Sequence, residues 1–173
     1  FSYDGLGRLV AAANDQASLL YTYDSLGNRV SSSQDGLMAT ASFDGLGNRR
    51  RCSCPSGYFV STTYDELNRP TAVSLQAPSA SQPTTLANLA YDGADRLSRI
   101  TRANGINTRI FWDGQQNSAN ATGDDGWQQV SSINHARAGG SLVVDQRYSA
   151  YDRNQNKVLR AMTAPWASGG SLV

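Results

Sequence analysis

Tyr23-Asp24-Ser25-Leu26-Gly27-Asn28-Arg29-Val30 is the clearest copy of a unit that recurs in altered form along nearly the whole chain. Tyr3-Asp4-Gly5-Leu6-Gly7-Arg8-Leu9 precedes it, and Phe43-Asp44-Gly45-Leu46-Gly47-Asn48-Arg49, Tyr64-Asp65-Glu66-Leu67-Asn68-Arg69 and Tyr91-Asp92-Gly93-Ala94-Asp95-Arg96-Leu97 follow. Weaker copies stand at Trp112-Asp113-Gly114 and at Tyr151-Asp152-Arg153-Asn154-Gln155-Asn156-Lys157-Val158. The aromatic advances by 20, 20, 21, 27, 21 and 39 residues. The period is therefore near 20, and the last gap is nearly two periods with one Tyr-Asp pair missing. Self-similarity at a fixed period marks an array of supersecondary units.

Each unit reads as strand, tight turn, strand. The carboxylates of Asp4, Asp24, Asp44, Asp65, Asp92 and Asp152 can accept hydrogen bonds from backbone N–H groups two residues on, as the first position of a type I turn favours. Gly7, Gly27 and Gly47 then supply the positive φ that closes such a turn in a bulge. Asn68 and Asp95 take that slot in later copies, and both residue types tolerate left-handed geometry. The flanks alternate: Leu19, Tyr21 and Tyr23 with Leu20 and Thr22, and Leu89 and Tyr91 with Ala90. A 20-residue unit has room for two strands of about six residues and two turns. Helical periodicity is nearly absent. The expected fold is all-β, built of consecutive antiparallel hairpins over residues 1–160, degenerate after about residue 101.

Two stretches interrupt the rhythm. Residues 77–83 (Ala-Pro-Ser-Ala-Ser-Gln-Pro) read as an extended loop between hairpins, and 114–126, rich in Gln, Asn, Gly and Asp, as a polar surface loop on a degenerate repeat. Residues 161–173 read as an irregular tail or the start of a further repeat.

Formal net charge is +1 with acids and bases interspersed, which removes the electrostatic case for nucleic acid or an anionic membrane. The longest apolar run, Leu9 to Ala13, is far short of the roughly 20 residues that span a bilayer as a helix. Cys52 and Cys54 are too few for a zinc site, which takes about four ligands. His135 is the single histidine, so neither a multi-histidine metal site nor a Ser-His-Asp arrangement can be named. No phosphate-binding glycine loop is present, and no cofactor, metal or catalytic residue is implied. An enzyme with a site in the 114–140 region is the least favoured class.

The repeat aromatics Tyr3, Tyr23, Phe43, Tyr64, Tyr91, Trp112 and Tyr151 can pack as a ladder on one sheet face, since equivalent positions lie two strands, or roughly 10 Å, apart. A sugar-stacking strip is the functional alternative. The aspartates recur identically, unlike a catalytic acid pair set apart by environment, and so read as turn caps. Arg8, Arg29, Arg49, Arg69 and Arg96 read as residues that pair with neighbouring acids or cover the sheet, rather than as a basic strip. Arg49-Arg50-Arg51 would place charge on both faces of its strand, which implies a strand not buried on both sides.

The recurring Tyr-Asp-x-x-Gly-(Arg/Asn)-(Leu/Arg) pattern resembles the YD or Rhs repeat, and Asn104 to Asp113 resembles that family's lead-in with Trp112 in place of Tyr. The family spans bacterial Rhs polymorphic toxins, the cocoon subunits of insecticidal Tc toxins, wall-associated YD-repeat proteins and the teneurin YD shell. The resemblance implies a β-sheet that spirals into a hollow shell around a cargo or toxin domain, in a secreted or cell-surface, bacterial protein. Its expected partners are flanking repeats and that cargo, with surface glycans as the adhesin alternative. The family's bacterial shells end in an Asp-Pro-containing self-cleaving plug. No Asp-Pro dipeptide occurs here, so plug and cargo are expected outside this segment, which begins within a repeat copy, or absent from the protein.

Overall fold

The structure, a computed structural model, describes residues 1–93, 95–113, 129–152, 154 and 156–165. Every regular element among them is a β-strand, and every strand pairing is antiparallel between chain neighbours. The chain divides into two compact units, Phe1–Leu86 and Ala87–Val173. The first carries β1 (Ser2–Tyr3), β2 (Leu9–Ala13), β3 (Ser18–Tyr23), β4 (Arg29–Gln34), β5 (Leu37–Phe43), β6 (Arg49–Ser53), β7 (Phe59–Tyr64) and β8 (Pro70–Gln76). β9 (Thr84–Tyr91) runs through the division, and its paired residues, Ala87 to Tyr91, belong to the second unit. There follow β10 (Leu97–Arg102), β11 (Ile106–Trp112), β12 (Val130–Arg137), β13 (Leu142–Tyr151) and β14 (Lys157–Thr163). β14 thus extends to Thr163, and 166–173 lie outside the described residues.

Each repeat aromatic ends a strand, and in every copy but that of Trp112 the next strand begins six residues on. The pairing is Tyr3↔Leu9, Tyr23↔Arg29, Phe43↔Arg49, Tyr64↔Pro70, Tyr91↔Leu97, Trp112↔Val130 and Tyr151↔Lys157. The register shifts beside each of these aromatics, which is the bulge that a turn closed by a left-handed residue produces. At the other end of the strands the connections vary. Asp35 and Gly36, at φ 50 and 84, make the two-residue link between β4 and β5. Between β6 and β7, Cys54 N–H donates to the Tyr58 carbonyl at 2.8 Å and Gly57 N–H to the Cys54 carbonyl at 2.9 Å. That is the hydrogen-bond pattern of the Asp turns with cysteine in the Asp slot, so Cys54 stands in a turn rather than on a strand face with Cys52.

Across the 39-residue gap β11 pairs directly with β12, with Trp112 opposite Val130. Among the described residues, the strands between Trp112 and Tyr151 are β12 and β13, as β10 and β11 lie between Tyr91 and Trp112. Asp113 N–H donates to the Gln129 carbonyl at 2.8 Å, the counterpart of the bond that Asp4 N–H makes to the Arg8 carbonyl. The polar stretch 114–126 itself lies outside the described residues.

Packing is thin. Among the described residues the buried apolar side chains are Tyr148 and Ala164 alone. In β3 the side chains alternate between exposed Ser18, Leu20 and Thr22 and half-buried Leu19, Tyr21 and Tyr23. β6 begins with three exposed arginines. A sheet ordinarily buries one face against a second layer. In the first unit the strands supply one layer, and the half-buried face has no large, fully buried side chain.

Candidate functional site

The feature that recurs with constant geometry is the turn. Asp24 Oδ1 accepts from Leu26 N–H at 3.0 Å and Asn28 N–H at 2.8 Å, and Oδ2 accepts from the Asn28 amide Nδ2 at 3.0 Å. Asp44 does the same with Leu46 and Asn48, and Asp152 with Asn154 and Asn156. In the other copies arginine replaces asparagine: Arg8 Nε meets Asp4 Oδ2 at 2.7 Å, Arg69 Nε meets Asp65 at 2.8 Å and Arg96 Nε meets Asp92 at 2.9 Å. One carboxylate therefore closes the turn through one oxygen and grips the side chain four residues on through the other. The fourth position carries positive φ, 76° at Gly7, 86° at Gly27, 82° at Gly47, 62° at Asn68 and 66° at Asp95.

These bonds act on the charged form of the acid. The Arg8 N–H is the largest influence that lowers the pKa of Asp4, and side-chain donors do so for Asp24 (Asn28), Asp65 (Arg69) and Asp152 (Asn156). For Asp44 partial desolvation is the largest single effect and raises the pKa. Hydrogen bonds from Asn48 and Leu46 together with the charge of Arg50 lower it, and the net direction is again down.

The turns of the first unit also touch one another. Arg8 Nη1 donates to the Asp24 carbonyl at 3.3 Å, and Asn48 Nδ2 donates to Asn68 Oδ1 at 3.0 Å. The repeat aromatics tie adjacent hairpins in the same way. Tyr23 Oη donates to the Leu9 carbonyl at 2.9 Å, Tyr64 Oη to Arg49 at 3.1 Å, Trp112 Nε1 to Leu97 at 3.0 Å, and Tyr151 Oη to Val130. In every case the acceptor is the residue cross-strand from the preceding repeat aromatic. Clamp arginines stand over two of the rings, Arg8 4.6 Å from the centroid of Tyr23 and Arg96 5.4 Å from that of Trp112. A ring with its polar tip bonded and one face under a guanidinium offers little of the free surface that sugar stacking uses. Phe43 has no hydroxyl for this bond, and Tyr3 is exposed.

The arginines grouped together in the sequence fall into two sets. Arg8, Arg69 and Arg96 are the clamp residues, whereas Arg29 and Arg49 stand one position further on, cross-strand from Tyr23 and Phe43. The asparagines Asn28, Asn48 and Asn156 carry a clamp role that sequence reasoning left unassigned. Its signal was their alternation with arginine at one position of the unit.

His135 lies on β12 opposite Thr108, with Nδ1 2.9 Å from the Thr108 hydroxyl, and Arg102 Nη1 donates to the same hydroxyl at 2.6 Å. Arginine can only donate, so the Thr108 hydroxyl oxygen accepts from Arg102, and the same hydroxyl is hydrogen-bonded to His135 Nδ1. Thr108 is 3 % exposed, which keeps this hydroxyl from a substrate. No cluster of three or more metal-ligating side chains occurs among the described residues. No helix among them is long and apolar enough to cross a membrane.

No protein-family model and no curated protein matches the sequence. Solved structures do. The crystal structure of TcdB2-TccC3 without its hypervariable C-terminal region matches over 95% of this chain with a TM-score of 0.59 and 16% identity. TcdB2-TccC3 itself and TcdB2-TccC3-Cdc42 match over 95% and 94%, with the same TM-score and identity. At that identity the likeness is one of fold. This chain spans 7–8% of the length of those chains.

Proposed function

We propose that the chain is a structural segment of a YD/Rhs-type β-shell, which encloses or presents a cargo domain lying elsewhere in a larger, exported bacterial protein. The carrying observation is the hairpin lattice. The clamp recurs in six of the seven copies and the aromatic-to-carbonyl bond at Tyr23, Tyr64, Trp112 and Tyr151, always at the same position of the unit, so hairpins dock on their predecessors by one rule and the sheet can be prolonged indefinitely. A likeness of fold to TcdB2-TccC3 over 95% of the chain, at a small fraction of that chain's length, is what a piece of such a wall would give. The thin packing fits as well, because a wall one sheet thick has its second layer supplied by further chain or by contents. The chain's role is containment, with no chemistry assigned to it. The described aspartates with lowered pKa are engaged in turns, and the single histidine is bonded to a buried hydroxyl.

Limited proteolysis of the full-length gene product tests this. The domain beyond the repeats should resist a protease that degrades the same domain expressed alone, and should become sensitive when the repeat region is truncated. Equal cleavage rates in the two settings would refute containment.

A further inference from the structure

The half-buried face of the first unit carries a trough along β4 and β5. Two adjoining depressions of about 410 and 540 Å³ share Arg29, Ser32 and Ala39. Small residues face each other across it: Ser32 pairs with Ala39, and Ala41 with Cys52. Its length follows β4, six residues, or about 20 Å at the rise of a strand.

Its charge is chiefly cationic. Arg29 and Arg49 both line it, and among the described residues neither guanidinium has an ion pair or a side-chain hydrogen bond. Arg29 lies over the Tyr21 ring at 5.1 Å, and the Tyr21 hydroxyl has no partner among the described residues, unlike those of Tyr23 and Tyr64. The one acid on the trough, Asp35, accepts from Ser18 N–H at 2.6 Å and from its hydroxyl at 3.3 Å. The origin of the loose cations is readable in the turns. Where asparagine takes the clamp, at Asn28 and Asn48, an arginine follows at the next position, where the Arg8 and Arg69 turns have Leu9 and Pro70.

We propose that this trough binds an extended acidic polypeptide segment, its carboxylates gripped by Arg29 and Arg49 with the Tyr21 hydroxyl as a further donor. Two guanidiniums and a phenol with no acceptor of their own ask for an acceptor-rich anion, and arginine matches a carboxylate with paired hydrogen bonds. Strands β4 and β6 lie roughly 10 Å apart on either side of β5, so Arg29 and Arg49 flank the trough and a segment with more than one carboxylate can engage both. Leu19, Leu37 and Phe43 along the trough favour a peptide with apolar residues between its acids. The site rests on the first unit alone and stands or falls independently of containment.

The test is fluorescence anisotropy with the whole chain and two labelled eight-residue peptides, one alternating Glu and Leu, the other Lys and Leu. The acidic peptide should bind saturably and the basic one should not. Arg29→Glu and Arg49→Glu should each weaken binding about tenfold or more, Arg50→Glu, off the trough, should leave it unchanged, and Arg29→Lys should restore part of it. Circular dichroism of each variant checks the sheet, with Arg29→Gln replacing any charge reversal that unfolds. Equal binding of both peptides, unchanged binding in the Arg29 and Arg49 variants, or tighter binding of a duplex oligonucleotide than of the acidic peptide would each overturn the assignment, leaving the hairpin lattice as described.

Discussion

Asp24 and Gly27 divide the work of one turn: the carboxylate satisfies backbone donors, and the glycine adopts a φ of 86° that other L-residues reach at a cost. Gly27→Ala is expected to destabilise by about 1 kcal/mol or somewhat more. Space is not the reason, since the new Cβ would meet only Arg8 Nη1 at 3.8 Å. Gly5→Ala is the control. A Cβ added at Gly5 would meet nothing within 4 Å, and Gly5 lacks positive φ, so the urea midpoint should hardly move. The aspartates predict a pH dependence of definite sign. Asp4, Asp24, Asp44, Asp65 and Asp152 titrate lower folded than unfolded, so the unfolded chain binds protons first as pH falls. The stability they contribute is complete above the ordinary carboxyl range, about pH 4, and is lost as pH drops through the folded values. Thermal melts from pH 6 to pH 2 should show a steepening loss below about pH 4. A flat profile over that range would contradict the clamp.

At the scale of the hairpin, the bond from the tips of Tyr23, Tyr64, Trp112 and Tyr151 to the preceding hairpin predicts opposite effects at two positions. Tyr64→Phe removes the donor to the Arg49 carbonyl and should cost about 1 kcal/mol. Phe43→Tyr brings a hydroxyl towards the equivalent carbonyl of Arg29, cross-strand from Tyr23, and should stabilise by up to about 1 kcal/mol. Denaturant midpoints of the two variants, moving in opposite directions, are the check. The hairpin array was legible in the residues because Asp followed by Gly, Asn or Asp three positions on encodes a backbone shape locally. The second half of the clamp was less so. Asn28 and Arg8 look unlike as side chains, and only the structure shows them donating to the same oxygen of their aspartates. Arg29 and Arg49 were grouped with the clamp arginines for a related reason, since one position of offset in a bulged turn sends a side chain to a different neighbour.

Across the whole molecule the strands β1 and β14 each have one neighbour among the described residues, and each presents a free row of backbone donors and acceptors. Val158 and Leu159 are exposed on β14, and Leu6, Leu26, Leu46 and Leu67 are exposed at successive turn tips. The chain made alone should therefore self-associate, and light scattering should report a mass that rises with concentration. A monodisperse monomer at high concentration would contradict open edges. The central claim, that these hairpins are wall, is tested most directly by single-particle reconstruction of the full-length gene product. The account predicts a hollow particle whose wall is one sheet thick, with these strands as consecutive hairpins in it and density for a further domain inside or against it. A solid particle, or separate small domains strung along the chain, would contradict it.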